Sequence, residues 1–102
     1  MAKGYWIGHV DVYDDDAYMK YIAANAAAFA KYKARFIVRG GEYECVEGKT
    51  RARNVVIEFP SLEAARECYD SPEYKHAMSF RSGAVAKADL VIIEGYGENA
   101  DE

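Results

Sequence analysis

Five side chains in this 102-residue sequence can move protons or hold anions, and they stand where simple packing would not put them: His9, Asn25, Arg39, Tyr74 and Arg81. Arg81 follows Tyr74, Ala77 and Met78 at helical spacing, so a cation falls on a stripe that otherwise reads as core-directed. A buried guanidinium must be paired, because an isolated charge away from water is very costly. Its partner would be a protein carboxylate, with Asp11 and Glu58 as candidates, or the anion of a bound ligand. In a third arrangement its stem would lie along apolar surface with the head in water. Arg39 precedes Gly40-Gly41, where a bulge would re-aim neighbouring side chains and let a ligand approach the backbone. Arg39 and Arg81 together would make a fork for a carboxylate; otherwise Arg39 is a solvated charge on an edge strand.

His9 shares one strand face with Tyr5, Ile7 and Asp11. With an ordinary pKa of about 6.5, it is the natural general acid or base if it lines a pocket, and Asp11 would orient it. The plainer reading is a hydrogen-bonded packing histidine. Asn25 lies in the apolar stripe of the first expected helix, suited to donate to a bound oxygen or to bond a neighbouring tyrosine. Of nine tyrosines, Tyr18, Tyr21, Tyr32, Tyr69 and Tyr74 fall on expected helices. They would line a pocket for a small aromatic or oxo-acid ligand, or simply fill a small core. His76 sits beside the stripe and reads as exposed. Lys49, Arg51 and Arg53 read as a solvated basic turn.

The elements that must position these groups follow from periodicity. Tyr5 to Val12 alternates as a strand, and Asp14-Asp15-Asp16 then caps a helix running to about Tyr32. Its stripe is Tyr18, Tyr21, Ile22, Asn25, Phe29 and Tyr32, and six alanines supply propensity. Arg35 to Val46 reads as a second strand bulged at Gly40-Gly41, with Glu47-Gly48-Lys49 as the turn. Arg53 to Phe59 is a third strand, stopped by Pro60. Ser61 caps a helix over Leu62 to Tyr69, and Ser71-Pro72-Glu73 starts another running to Arg81 or Ser82. Leu90 to Tyr96 is the last strand.

The order β-α-β-β-α-β, with the last helix broken, predicts an α+β fold. In it a four-stranded antiparallel sheet is covered on one face by helices. Strands such as Val55-Val56-Ile57 and Leu90-Val91-Ile92-Ile93 are apolar at successive positions, which asks for burial on both faces. Helices cover one, so a second copy of the chain is expected on the other, making a homodimer. One domain over residues 1–97 with an acidic tail at 98–102 fits this length.

With 13 basic and 17 acidic residues the net charge is −4, the wrong sign for general binding to nucleic acid or an anionic membrane. No apolar run is long enough for a signal peptide or a membrane span, so the expectation is a cytoplasmic protein. Cys45 and Cys68 are too far apart for a CxxC motif and read as free, packed thiols. No phosphate-loop, dinucleotide, zinc-protease or calcium-loop pattern is present, so neither metal nor cofactor is expected.

Gly4-Tyr5-Trp6, Arg39-Gly40-Gly41, Val55-Val56-Ile57-Glu58-Phe59-Pro60-Ser61, Tyr69-Asp70-Ser71-Pro72-Glu73-Tyr74, Arg81 and Glu94-Gly95 form an ordered set. Over residues 4–96 it resembles the bacterial "domain of unknown function" family numbered 1330. The resemblance implies a ferredoxin-like, dimeric α+β barrel, a superfamily containing cofactor-free oxygenases, haem-degrading enzymes and simple binding proteins. Trp6, Asn25 and His76 are residue types used by the haem-degrading relatives, without matched positions, so haem is not expected. The functional expectation is a small-molecule pocket between sheet and helices, either catalytic without a cofactor or purely for binding. In that pocket His9 would be the proton-transfer group, Arg39 and Arg81 the anion anchors, and Tyr74 and Asn25 the orienting hydrogen bonders. The alternative is a non-catalytic module whose only binding surface is its dimer face.

Overall fold

The computed structural model describes residues 2–97, and in them seven elements follow one another: β1 (Gly4–Val12), α1 (Asp15–Lys31), β2 (Arg35–Arg39), β3 (Arg53–Phe59), α2 (Leu62–Asp70), α3 (Pro72–Met78) and β4 (Ala86–Glu94). The strands make one antiparallel sheet in the order β2-β3-β1-β4. With the helices between them, this is the ferredoxin-like α+β fold. The acidic tail at 98–102 lies outside the described residues. No described helix is long and apolar enough to cross a membrane.

Capping decides where the helices begin. Asp14 stands in extended conformation before α1 and accepts from the Ala17 amide at 3.1 Å, and Asp15 and Asp16 meet the positive end of the helix dipole. Ser61 caps α2 in the same way through Ala64. Ser71 ends α2 and starts α3. Its hydroxyl donates to the Cys68 carbonyl at 2.7 Å and accepts from the Tyr74 amide at 3.1 Å, which locks the helix-breaking corner before Pro72.

The core lies between the sheet and the helices. Trp6, Val10, Ile57 and Phe59 face it from the sheet, and Tyr18, Phe29, Ala65, Cys68, Tyr74 and Ala77 from the helices. Trp6 is the hub: its ring touches Phe29, Phe59, Tyr69 and Tyr74 at centroid distances of 4.9–5.8 Å, and its Nε1 donates to the Ala65 carbonyl at 2.9 Å. Gly4 admits α2, because a Cβ there would sit 2.4 Å from the Ser61 carbonyl oxygen. Burial pushes the Cys68 thiol up to about 12, whereas Cys45 is exposed and not packed as the sequence suggested.

The structure differs from the sequence reading in several places. Residues 42–46 do not continue β2. Pairing with β3 ends at Arg39↔Val55, the Gly40 amide bonds the Asn54 carbonyl at 2.8 Å, and residues 40–52 form an exposed loop. With β3 beginning only at Arg53, no strand lies alongside residues 42–46 to pair with them. The bulge falls at Ile37, between Phe36 and Val38, instead of at Gly40-Gly41. β4 starts at Ala86, four residues early, and ends at Glu94 instead of Tyr96. Ala86, Ala88 and Leu90 face the helices while Lys87 and Asp89 face away, an alternation that small residues disguise. Helix α3 ends at Met78, and Phe80 and Arg81 follow in tighter turns that bond Ala77 and Met78.

Candidate functional site

Strand parity divides the expected site residues between the two faces of the sheet. The helix-facing side carries Trp6, Gly8 and Val10 of β1, Arg53, Val55 and Ile57 of β3, and Arg39 of β2. The far side carries Tyr5, Ile7, His9 and Asp11, with Asn54 and Asp89 directly across from His9.

On the helix-facing side, a gap between α1 and the sheet holds two small spaces separated by Tyr18 and Tyr21. The first, about 40 Å³, is bounded by Gly8, Tyr74 and Arg81; the second, about 30 Å³, by Asn25, Arg39 and Arg53. Both share Tyr18, Tyr21, Val55 and Ile57 as walls and floor. Gly8 keeps the first one open: a Cβ would stand 3.1 Å from Val55 Cγ2 and 3.4 Å from Leu90 Cδ1.

Arg81 is half-buried. Its Nη2 donates to the Tyr74 hydroxyl at 3.2 Å, its guanidinium lies 5.2 Å from the Tyr21 ring centre, and the Tyr21 and Tyr74 hydroxyls share a 2.7 Å hydrogen bond. Burial disfavours the Arg81 charge, but the two phenols outweigh it and its pKa rises. The Tyr74 phenol is held far above its ordinary range, first by burial and then by Tyr21, so it stays protonated. The expected ion pair is absent. Asp11 is taken by Arg51, Glu58 by Lys3 and Arg35, and among the described residues no carboxylate pairs with Arg81. A half-buried cation held only by neutral hydroxyls retains most of its attraction for an anion.

Asn25 is 5% exposed and makes no side-chain hydrogen bond with another described residue, although it borders the second space. Arg39 is exposed and stacks on the Phe36 ring at 4.3 Å. It joins Asn25 at that second space, so it makes no common fork with Arg81. Arg53 is the residue the sequence reading missed. Read as a solvated turn, it instead turns its side chain under α1, with a buried Nε that has no partner. The signal was present: Arg53 shares the parity of Val55, Ile57 and Phe59.

His9 lies across the sheet from these groups, so one subunit does not bring it to Arg81 or Tyr74. It opens instead into a cleft of about 640 Å³ roofed by residues 43–51. Its Nδ1 meets Asn54 Oδ1 at 2.5 Å, and Asn54 is fixed by donating Nδ2 to the Arg51 carbonyl at 3.3 Å and accepting from Thr50 Oγ1 at 3.0 Å. Asp11 does not orient His9 as expected. The Ala52 amide and the Arg51 guanidinium hold it, and these contacts keep its carboxyl below the usual range. Arg51 also bonds Asp89 at 2.8 Å, tying the 40–52 loop to the sheet. His76 is exposed, as read, and packs edge-on to Phe80. Among the described residues no group of three His, Cys, Asp or Glu side chains is placed to hold a metal ion.

Solved structures similar to this one share its fold. A protein of unknown function from Rhodopseudomonas palustris, RPA0582, is 20% identical with a TM-score of 0.72, covering 92% of this chain and 82% of that one. SnoaB, a cofactor-independent oxygenase from Streptomyces nogalater, is 15% identical with a TM-score of 0.62, covering 91% and 92%. A dimeric ferredoxin-like protein of unknown function from Thermobifida fusca is 15% identical with a TM-score of 0.59, covering 90% of each chain. No curated protein matches the sequence. The family model that does match spans residues 3–96, and it takes in the Ser71-Pro72 corner, Tyr74, Arg81 and every strand of the sheet: the chain belongs to the family described as a domain of unknown function, DUF1330.

Proposed function

We propose that this chain is a homodimeric protein that binds a small organic anion, of aromatic or oxo-acid type, in the gap between α1 and the sheet. The observation that carries the reading is Arg81, a half-buried cation whose guanidinium meets the neutral phenols Tyr74 and Tyr21 and, among the described residues, no carboxylate. Arg81 is the anchor, Tyr74 holds the guanidinium in place, and Asn25 offers an unspent amide further along the same gap. Two neighbouring structures are described as dimeric, and the half-exposed Val91 and Ile93 on the far face of the sheet suit a second copy. SnoaB works without a cofactor, and we propose none here.

Benzoate is a suitable probe, since it joins one carboxylate to one ring. Isothermal titration of the unaltered protein should give measurable binding, and Arg81→Met should weaken it by about tenfold or more, as expected for loss of a charge-assisted contact. Equal benzoate affinity in the two proteins, or none in either, would sink the reading.

The size of the two spaces favours a second reading, a structural dimer module. Each holds only one or a few waters, far below the roughly 300 Å³ of a typical metabolite pocket. Waters would then satisfy Asn25 and Arg53. That module predicts no heat from benzoate and a sharply lower melting temperature for Arg81→Met.

For His9 we propose an acid–base role confined to the cleft on the far face. Because Asn54 Nδ2 points at a carbonyl, its Oδ1 faces His9, so the neutral ring must carry its proton on Nδ1 and leave the lone pair on Nε2. Long-range proton–nitrogen NMR at pH 8 should report the Nδ1-protonated tautomer. The opposite tautomer would remove the base.

A further inference from the structure

The smaller of the two spaces under α1 is lined by polar groups that the fold leaves unspent. Asn25 of α1 is 5% exposed, borders this space and makes no side-chain hydrogen bond with another described residue. Arg53, the first residue of β3, borders it too, and its buried Nε has no hydrogen-bond partner. Exposed Arg39 is the third polar group on the lining. Among the described residues no carboxylate pairs with either arginine. Backbone makes room for Arg53. Gly40 adopts φ +68°, and a Cβ there would stand 2.7 Å from Arg53 Nη1, so a side chain at Gly40 would push the guanidinium as well as strain the backbone.

Volume and charge together select the ligand. The space is about 30 Å³, enough for one or a few water molecules. Sulfate, phosphate and organic anions are too large for it, whereas a single chloride or bromide ion is close to a water molecule in size. A water would accept from Arg53 and donate to Asn25, but it carries no charge. Guanidinium is a donor only, and the Asn25 amide adds two N–H groups. A halide accepts from both and supplies the counter-charge that the two arginines lack. We propose that this space binds one halide ion, held by Arg53 Nε–H and the Asn25 amide, with Arg39 adding positive charge. Tyr18 and Tyr21 separate it from the Arg81 end, so the site goes beyond the organic-anion reading and does not depend on it. Because Asn25 comes from α1 and Arg53 from β3, the ion ties the helix to the sheet, and stability should follow its concentration.

Thermal melts of the full chain at one protein concentration and constant ionic strength test this, with potassium chloride replacing potassium gluconate. Raising chloride from about 1 to about 100 mM should raise the melting temperature of the unaltered chain by about 4 °C or more, and bromide should act alike. Arg53→Met should abolish the response. Asn25→Asp is the second variant: it gives Arg53 an internal carboxylate, so it too should melt independently of chloride even if Arg53→Met does not fold. Crystals of the unaltered chain soaked in sodium bromide should show an anomalous-scattering peak between Asn25 and Arg53. A melting temperature indifferent to chloride, or a response that survives in Asn25→Asp, overturns the site. Bromide found only on the surface marks an adventitious ion only and overturns it as well. Titration with benzoate reads the Arg81 end separately, so failure of one site is distinct from failure of the other.

Discussion

A chain carrying Val91→Asp together with Ile93→Asp should run as a monomer in size-exclusion chromatography with light scattering at micromolar concentration, where the unaltered chain should run as a dimer. The sheet face away from the helices carries Tyr5, Ile7, Val38, Val56, Val91 and Ile93 along neighbouring strands, and in the isolated subunit Val91 is 54% and Ile93 47% exposed. Ion pairs bound this apolar centre at both ends: Lys3 and Arg35 with Glu58 at one, Arg51 with Asp11 and Asp89 at the other. An apolar centre with a charged rim is the anatomy of a stable interface. Two-fold symmetry would bring four new carboxylates into one dimer, and desolvating unpaired charges costs several kcal/mol. Dimer affinity should fall at least about a hundredfold. Met19→Asp, a charge on the exposed side of α1, should leave the dimer intact. A double variant that stays dimeric, or an unaltered chain that is monomeric, rejects the sheet-to-sheet assembly.

The second large effect is thermodynamic. Trp6→Ala should lower unfolding stability by about 3–5 kcal/mol, the range for truncating a large buried aromatic side chain. In a domain of this size that corresponds to a melting temperature lower by on the order of 20 °C. Trp6 is 1% exposed, joins four aromatic rings from β3, α1, α2 and α3, and donates a buried hydrogen bond to the Ala65 carbonyl. Alanine opens a cavity that rings from four elements cannot all collapse into, and it removes a buried hydrogen bond. Trp6→Phe keeps much of the ring packing and should cost about 1–2 kcal/mol. Urea unfolding at one fixed protein concentration measures both, since association would contribute to apparent stability. A loss under about 1.5 kcal/mol for the alanine variant contradicts the hub role.

How far the sequence reaches depends on the range of the force involved. Asp14, Ser61 and the Ser71-Pro72 corner mark helix starts because a cap acts within three residues, and each start lies where it was read. Strand alternation at residues 5–12 already separated His9 from Trp6, and the separation is real. Alternation does not say which face the helices take, so His9 and Arg81 were expected in one pocket although the sheet lies between them. The 42–46 segment has extended character on paper, but a strand exists only where a neighbouring backbone accepts its hydrogen bonds. Arg53 was legible by parity with Val55 and Ile57, yet its place beside Lys49 and Arg51 at a turn concealed it.

Local periodicity, caps and turn residues determined the element order, the antiparallel α+β class and the one-sided helix cover, because each acts over a few residues. Only the tertiary structure decided the partners: Asn54 in place of Asp11 for His9, Arg51 for Asp11, phenols in place of a carboxylate for Arg81, and none for Arg53 Nε. Several of these pairings join groups roughly 40 residues apart in the chain, and Arg81 with Tyr74 depends on the end of a helix. Packing of whole elements sets such distances, and no spacing rule along the chain contains them.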